Sequence, residues 1–409
     1  MDRIAYLLSQ YPAVNHVFML RDVRLLRKLG FEIQVASIRK PDRDVSLMTV
    51  AEKEEARSTY CVKTTGVGRL VQAHVRTLLA RPFSFFGALL GAVRRDGFHG
   101  LFYFVEAVAV GDWMRRRRIS HVHTHYVSTV GLIVKQIFPV TLSITFHGPA
   151  EFENVAGSNL REKVAASLFS CAISQFGLGQ LMYASGYAEW PKLELTPLGV
   201  DPDDFPPRPF RPNPSPFQIV CVGRLAPVKG QHLLVAAMER LVKSGRHIRL
   251  RLAGDGPDRA ALQQDVQGRG LENHILFEGN LNQDKLRELY RESDVLVLAS
   301  FAEGLPVVLM EAMAMEIPCV APWVNGIPEI ITHETDGLMV PPGDAGALAS
   351  AIGRLMDDAE FRQALGQRAR DKALEKFTLQ TNTEHLADIF RRRLTAAHAS
   401  QGLPSHESS

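Results

Sequence analysis

Glu303 and Glu311 are two carboxylates on a stretch whose character changes between them. Residues 294–300 form a continuously apolar, β-branched run, the mark of a strand buried on both faces. Gly304 and Pro306 punctuate the chain, and from Val307 the apolar spacing becomes helical. Pro306 has the fixed φ suited to a first helical position, which sets Glu311 a turn and a half inside, roughly 7 Å along the axis. Glu303 falls just ahead of that helix, where free N–H groups and the positive dipole end favour an anion. Carboxylates accept hydrogen bonds from hydroxyls, so the pair could grip two separated polyol groups of one extended ligand. The plainer alternative is a solvated helix residue and a helix-start charge.

Arg224 and Lys229 make the second constellation. The apolar run 217–222 feeds Gly223-Arg224, and a helical pattern over 231–243 follows Lys229. A strand, a basic glycine-containing loop and a helix are what a diphosphate site requires. Arg224 can fork onto phosphate oxygens while Lys229 adds a mobile point charge. An exposed loop pair is the alternative. There is no G-x-x-x-x-G-K-[ST] loop, so phosphoryl transfer from ATP is not indicated. His121, His123 and His125 recur at period two on a strand spanning 119–126, so neighbours on that face lie ~7 Å apart. At most two could share a metal, and no third ligand is evident.

These residues need a frame, and 409 residues suffice for two ordinary domains with full cores. Hydrophobic content of 46% and charged content of 22% describe a globular chain, and a net charge of +3 supplies no field for nucleic acid. Cys61, Cys171, Cys221 and Cys319 are scattered, which suits reduced core thiols in a cytoplasmic setting. The N-terminal apolar run is too short for a signal peptide, and no window reaches the ~20 apolar residues of a membrane span. Strand runs at 4–9, 31–38, 140–146, 171–174, 248–253 and 318–321 alternate with helical patterns. The opening βαβ predicts α/β, doubly wound parallel sheets with ligands beyond the C-terminal strand ends, next to residues 9–12.

Several motifs together resemble those of the retaining, nucleotide-sugar-dependent glycosyltransferases of family 4. Glu303 and Glu311 form its E-x7-E inside EGLPVVLMEAMAMEIPCVA, and GRLAPVKG (223–230), AGDGP (253–257), GIPEII (326–331) and DGLMVPPGD (336–344) stand in the family's order. The similarity is dense over 190–375 and loose before it. It implies the GT-B architecture, two Rossmann-like domains facing across a cleft. The expected domains are 1–195 on the acceptor side, a proline-rich linker at 196–216 and a nucleotide-sugar-binding domain at 217–376. A terminal helix near 381–398 is expected to cross back onto the first domain, and 400–409 reads as a disordered tail.

The resemblance also implies roles. Glu311 would hold ribose hydroxyls, and Glu303 the hydroxyls of the transferred sugar. His147, in TFHG, would approach that sugar, and Arg224 and Lys229 would neutralise the leaving diphosphate. Gly223, Gly254, Gly279 and Leu281 would line the donor, and the backbone of Gly304, Leu305, Pro306 and Val307 would complete the pocket. The donor would be a UDP- or GDP-sugar and the acceptor a glycan or lipid-linked hydroxyl, with no cofactor and no metal because the two cations serve instead. Bacterial exopolysaccharide or lipid-linked glycan synthesis is the implied pathway. The chain departs from the pattern at Val14–Phe18, where Ser-Glu-Thr-Phe or a glycine pair is common, and at Asn325, where glycine is usual.

Other readings remain at this stage: a sugar-nucleotide epimerase on the same fold, a glycoside hydrolase using Glu303 and Glu311, or an inactive binding scaffold. A hydrolase needs its carboxyls ~5–10 Å apart about one bond and needs no phosphate site. Residues 69–118 combine apolar helical segments with Arg69, Arg76, Arg81, Arg94, Arg95 and Arg115–Arg118. That composition suits peripheral contact with an anionic membrane, the inner face of the plasma membrane in this reading, or helices that cover the sheet with solvated arginines.

Overall fold

A computed structural model of the chain describes residues 3–13, 17–152 and 158–401. The departure at Val14, Asn15 and His16 and the end of the expected tail, 402–409, lie outside the described residues. The chain divides into two compact units, Met1–Pro197 with Gln380–Ser409, and Leu198–Leu379.

The first unit is built on a parallel sheet of seven strands: β1 (Arg3–Gln10), β2 (Glu32–Arg39), β3 (Tyr60–Cys61), β4 (His121–His125), β5 (Thr141–Phe146), β6 (Phe169–Ala172) and β7 (Leu193–Leu195). Their order is β3-β2-β1-β4-β5-β6-β7, so the winding reverses between β1 and β4. Strand β4 is buried throughout despite its polar sequence, HVHTH. The period-two histidines share a face, and neighbouring hydroxyls satisfy two of them: His121 meets Thr141 and Ser143, and His123 meets Ser143 and Thr145, at 2.7–3.1 Å. Burial holds the His121 pKa down to about 3, so the ring is neutral and acts as a hydrogen-bonding core residue.

The helices Val67–Ala80, Pro82–Asp96, Phe98–Arg116 and Ser128–Ile137 bury one face of this sheet. The other face is covered by Val17–Lys28 and by the last helix, Leu379–Gln401, whose residues from Gln380 belong to the first unit. Phe390 of that helix is fully buried, with ring centroids 5.1 Å from His123 and 5.5 Å from Phe169. Thr383 donates to Asp22 at 3.1 Å, and Arg393 donates to Glu194 at 2.8 Å.

The second unit repeats the plan with six parallel strands: β8 (Phe217–Val222), β9 (Ile248–Ala253), β10 (Ile275–Gly279), β11 (Val295–Val297), β12 (Cys319–Pro322) and β13 (Leu338–Val340). The order β10-β9-β8-β11-β12-β13 reverses between β8 and β11. The stretch read as linker is packed against this unit rather than standing free. Phe205 is fully buried, Arg211 pairs with Asp294, and Arg362 donates to the carbonyls of Arg211 and Pro212 at 2.8 Å. Proline density gave the stiffness of the segment but could not show that Phe205 and Phe210 anchor it, the latter under the Arg362 guanidinium at 5.1 Å.

Removal of a buried aromatic leaves a cavity. Phe390→Ala should therefore cost about 3–5 kcal/mol of stability, read as a lower urea midpoint. An unchanged midpoint would mean that the last helix is not part of the first core.

Candidate functional site

In the second unit the loops after β8 and β11 lie at the reversal of strand order, the point at which doubly wound sheets generally take their ligands. These loops are in backbone contact. Phe301 N donates to the Val228 carbonyl at 2.8 Å, and a Cβ on Gly230, at φ +61°, would stand 2.2 Å from the Ala299 carbonyl. The loop after β9 closes the same edge. Gly223 N donates to the Ala253 carbonyl, Gly254 N donates to the Gly279 carbonyl, and a Cβ on Gly254 would meet the Gly223 carbonyl at 2.0 Å. Gly223, Gly254 and Gly279 are thus joined by backbone contacts, and only a bare backbone fits between the first two.

Across that junction Lys229 Nζ donates to both Glu303 oxygens, at 2.7 and 2.8 Å. Ser300, at the end of the run containing β11, donates to Glu303 Oε1 at 2.6 Å. Glu303 is buried, and among the described residues the lysine tip and the Ser300 hydroxyl balance its charge. Two residues 74 positions apart in sequence, one from each constellation, therefore form one ion pair. Arg224 is exposed on the same loop and makes no ion pair among the described residues; its own carbonyl accepts from the buried Gln231 amide at 2.9 Å.

Glu311 is delivered differently from expectation. Pro306 has an extended ψ of 108° and is the cap, not the first turn, of the helix Val307–Ala314. Proline's fixed φ suits both positions, so the sequence could not separate them. Glu311 is buried, and its Oε2 accepts from the Tyr290 hydroxyl at 2.9 Å. Burial first, and the Glu311 charge second, raise the Tyr290 pKa well above the usual phenol value, so Tyr290 stays a donor. Leu305 and Pro306 are buried, whereas Gly304, Val307 and Leu281 are partly exposed along the loops. Asn325 sits at φ +44°, a region that asparagine tolerates better than most side chains. Sequence reasoning missed Ser300, Gln231 and Tyr290. Ser300 was detectable as the first polar residue after an apolar run, but Tyr290 lies on the distant helix Gln283–Glu292 and was not.

His147 belongs to the first unit, at the end of β5 and next to the reversal between β1 and β4. It is buried, its Nε2 lies 2.6 Å from His125 Nδ1, and Tyr126 stacks on its ring with centroids 4.6 Å apart. Its backbone N–H donates to Glu151 at 2.6 Å. Glu151 was not foreseen. Desolvation pushes its pKa up to about 7 against the backbone N–H groups of His147 and Gly148 and the Lys163 charge.

With this geometry in place, comparison with known proteins gives the class. Residues 204–372, nearly all of the second unit, match the family described as "Glycosyl transferases group 1". The chain is accordingly a transferase of the glycosyltransferase class, and that domain carries Arg224, Lys229, Glu303 and Glu311. Over its full length it is similar to a protein of Escherichia coli K12 assigned as the colanic acid biosynthesis glycosyltransferase WcaL, at 24% identity over 95% of this chain and 99% of that one. In fold it is similar to sucrose-phosphate synthase from Thermosynechococcus elongatus, with a TM-score of 0.76 at 20% identity over 97% and 100% of the two chains. It is likewise similar to HepE of Anabaena solved with UDP and glucose, with a TM-score of 0.74 at 18% identity over 96% and 100%. These structural neighbours establish the GT-B fold.

The raised Glu151 carboxyl gives a pH signature. Between its ordinary 4.5 and about 7 the folded state binds a proton that the unfolded state has lost. Stability contributed by Glu151 is therefore present at low pH and lost as pH rises through that window. Thermal unfolding of wild type against Glu151→Gln should show the wild type losing ground as pH increases from about 5 to about 8. The opposite slope would contradict the desolvated state of this carboxyl.

Proposed function

We propose that the protein moves a sugar from a nucleoside diphosphate sugar, a UDP- or GDP-sugar, to a hydroxyl of a glycan or lipid-linked glycan with retention of anomeric configuration. The observation that carries this reading is the Lys229–Glu303 pair at the β8/β11 reversal, with Arg224 on the same loop. As the donor cleaves, negative charge grows on the diphosphate while the sugar becomes oxocarbenium-like. Fixed cations aimed at the first charge lower the barrier because they need no reorganisation during reaction. Arg224 and Lys229 take that role, so no metal is called for in this scheme. Glu303, freed from part of its lysine contact, accepts hydroxyls of the transferred sugar. Glu311, oriented by Tyr290, accepts ribose hydroxyls.

His147 is assigned to a sugar hydroxyl, and the backbone of Gly304–Val307, with Gly223, Gly254, Gly279 and Leu281, to lining the donor. No side chain is placed as a nucleophile, so the acceptor hydroxyl attacks from the leaving-group face. The proposed donor is in keeping with the UDP and glucose of the HepE complex. The colanic acid relative supports bacterial exopolysaccharide or lipid-linked glycan assembly as the pathway. We place the enzyme in the cytoplasm, working peripherally at a membrane.

A thermal-shift screen of UDP- and GDP-sugars should find a donor that raises Tm by mass action. With that donor, Arg224→Ala should lower turnover about 10²–10³-fold with little loss of binding. Glu311→Gln should weaken nucleotide affinity about tenfold or more. Release of free epimerised sugar nucleotide, or wild-type behaviour in both variants, would overturn the assignment.

A further inference from the structure

Arg208 lies in the proline-rich stretch by which the chain enters the second unit, and it is only 5% exposed. Its backbone N–H donates to the Met315 carbonyl at 3.3 Å, which holds the stretch against the end of the helix Val307–Ala314. In the side chain Nη1 donates to the Pro209 carbonyl at 3.0 Å. Nε and Nη2 are shielded from solvent and meet no acceptor among the described residues. These two nitrogens form one edge of the guanidinium, the fork with which arginine grips an anion through two parallel N–H groups. Burial pulls the Arg208 pKa down to about 10, so the group keeps its charge at neutral pH.

A buried cation without a counter-charge is among the costliest features a core can hold. The acids nearby do not supply one. Asp294 is fully buried, but Arg211 takes both of its oxygens, and the Gln218 N–H donates to one of them at 2.8 Å. Glu316 acts on Arg208 from beyond hydrogen-bond reach. Two cations, Arg211 and Arg362, offset those two acids, which leaves the Arg208 charge in excess. Arg362 is fully buried as well. It donates to the Leu355, Arg211 and Pro212 carbonyls, and its Nε likewise meets no acceptor among the described residues.

We propose that the Arg208 fork binds a chloride ion where the proline-rich stretch packs on the second unit. One negative charge balances the one in excess. A phosphate would overshoot it and would surrender a hydration shell that a single fork does not replace. Water satisfies N–H groups but leaves the charge standing. A halide has no preferred direction of approach, so it fits between two parallel N–H groups. The bound ion fastens residues 205–212 to this unit, beside the carbonyl end of the helix that carries Glu311. Arg208 lies outside the loops after β8 and β11, so the ion takes no part in sugar transfer and its loss leaves that assignment untouched.

Calorimetric melting of the full chain tests this, in mixtures of sodium gluconate and sodium chloride at one ionic strength. Wild-type Tm should rise with chloride along a saturating curve, by about 3–5 °C once chloride stands about tenfold above its dissociation constant. Exclusion effects of salts grow with concentration and reach no saturation point. Arg208→Met should abolish the saturating rise. Arg208→Lys keeps a charge without the fork and should weaken chloride binding about fivefold or more. If the methionine variant does not fold, the lysine variant decides alone. Glu316→Gln removes an opposing acid and should tighten chloride binding about twofold or more. A wild-type Tm without a saturating response to chloride would overturn the proposal, as would an equal response in wild type and both Arg208 variants. So would a lower Tm in Glu316→Gln at every chloride concentration with no change in chloride affinity, which would make Glu316 the partner of Arg208.

Discussion

The second unit depends on one contact between loops that leave the sheet in opposite directions, the ion pair of Lys229 with Glu303. A buried carboxylate is costly unless it is paired and hydrogen-bonded, and here one lysine and the Ser300 hydroxyl meet that requirement. The pair can form only because Gly230 lets the lysine-bearing loop press against the Ala299 carbonyl. Glycine at this point lets the two loops approach, and the reversal of strand order sets both charges at its switch point. Backbone geometry, pairing and site chemistry are thus one constraint seen at three scales. An incoming anion at Lys229 changes the balance at Glu303 directly, which couples the phosphate end of a ligand to its sugar end.

The first unit arranges polar groups by the same logic with different chemistry. His121 and His123 are neutral, buried rings held by serine and threonine hydroxyls, so β4 is a core strand written in polar residues. His125 breaks the series because its partner is His147 at the next strand end. The column therefore turns from packing to site at the strand's C-terminal end, where a doubly wound sheet places its ligands. The neighbouring helices Val67–Ala80 and Pro82–Asp96 show the opposite excess, apolar surface beyond what the core consumes.

Much of this was legible in the sequence. The strands Phe217–Val222 and Ile248–Ala253 and the helix Gln231–Lys243 fall where apolar periodicity places them. Their local pattern and their tertiary role agree, which is the condition under which periodicity succeeds. The grouping of Lys229 with Glu303 was legible as an expectation because both sit at strand ends before helices. Three things were not. The cap position of Pro306 depends on ψ, which proline does not fix. The docking of the proline-rich stretch depends on Arg362, about 150 residues away, reaching the Arg211 and Pro212 carbonyls. Tyr290 reads as one more apolar position of an amphipathic helix until its hydroxyl is seen to meet Glu311.

The most direct measurement is calorimetric titration of wild type and Lys229→Gln with UDP and GDP, and with UMP and GMP as controls. If Lys229 waits on Glu303 for a second phosphate, the variant should lose about tenfold or more in affinity for the diphosphate that binds, while the matching monophosphate changes less than about twofold. Equal losses for diphosphate and monophosphate, or none for either, would contradict the account.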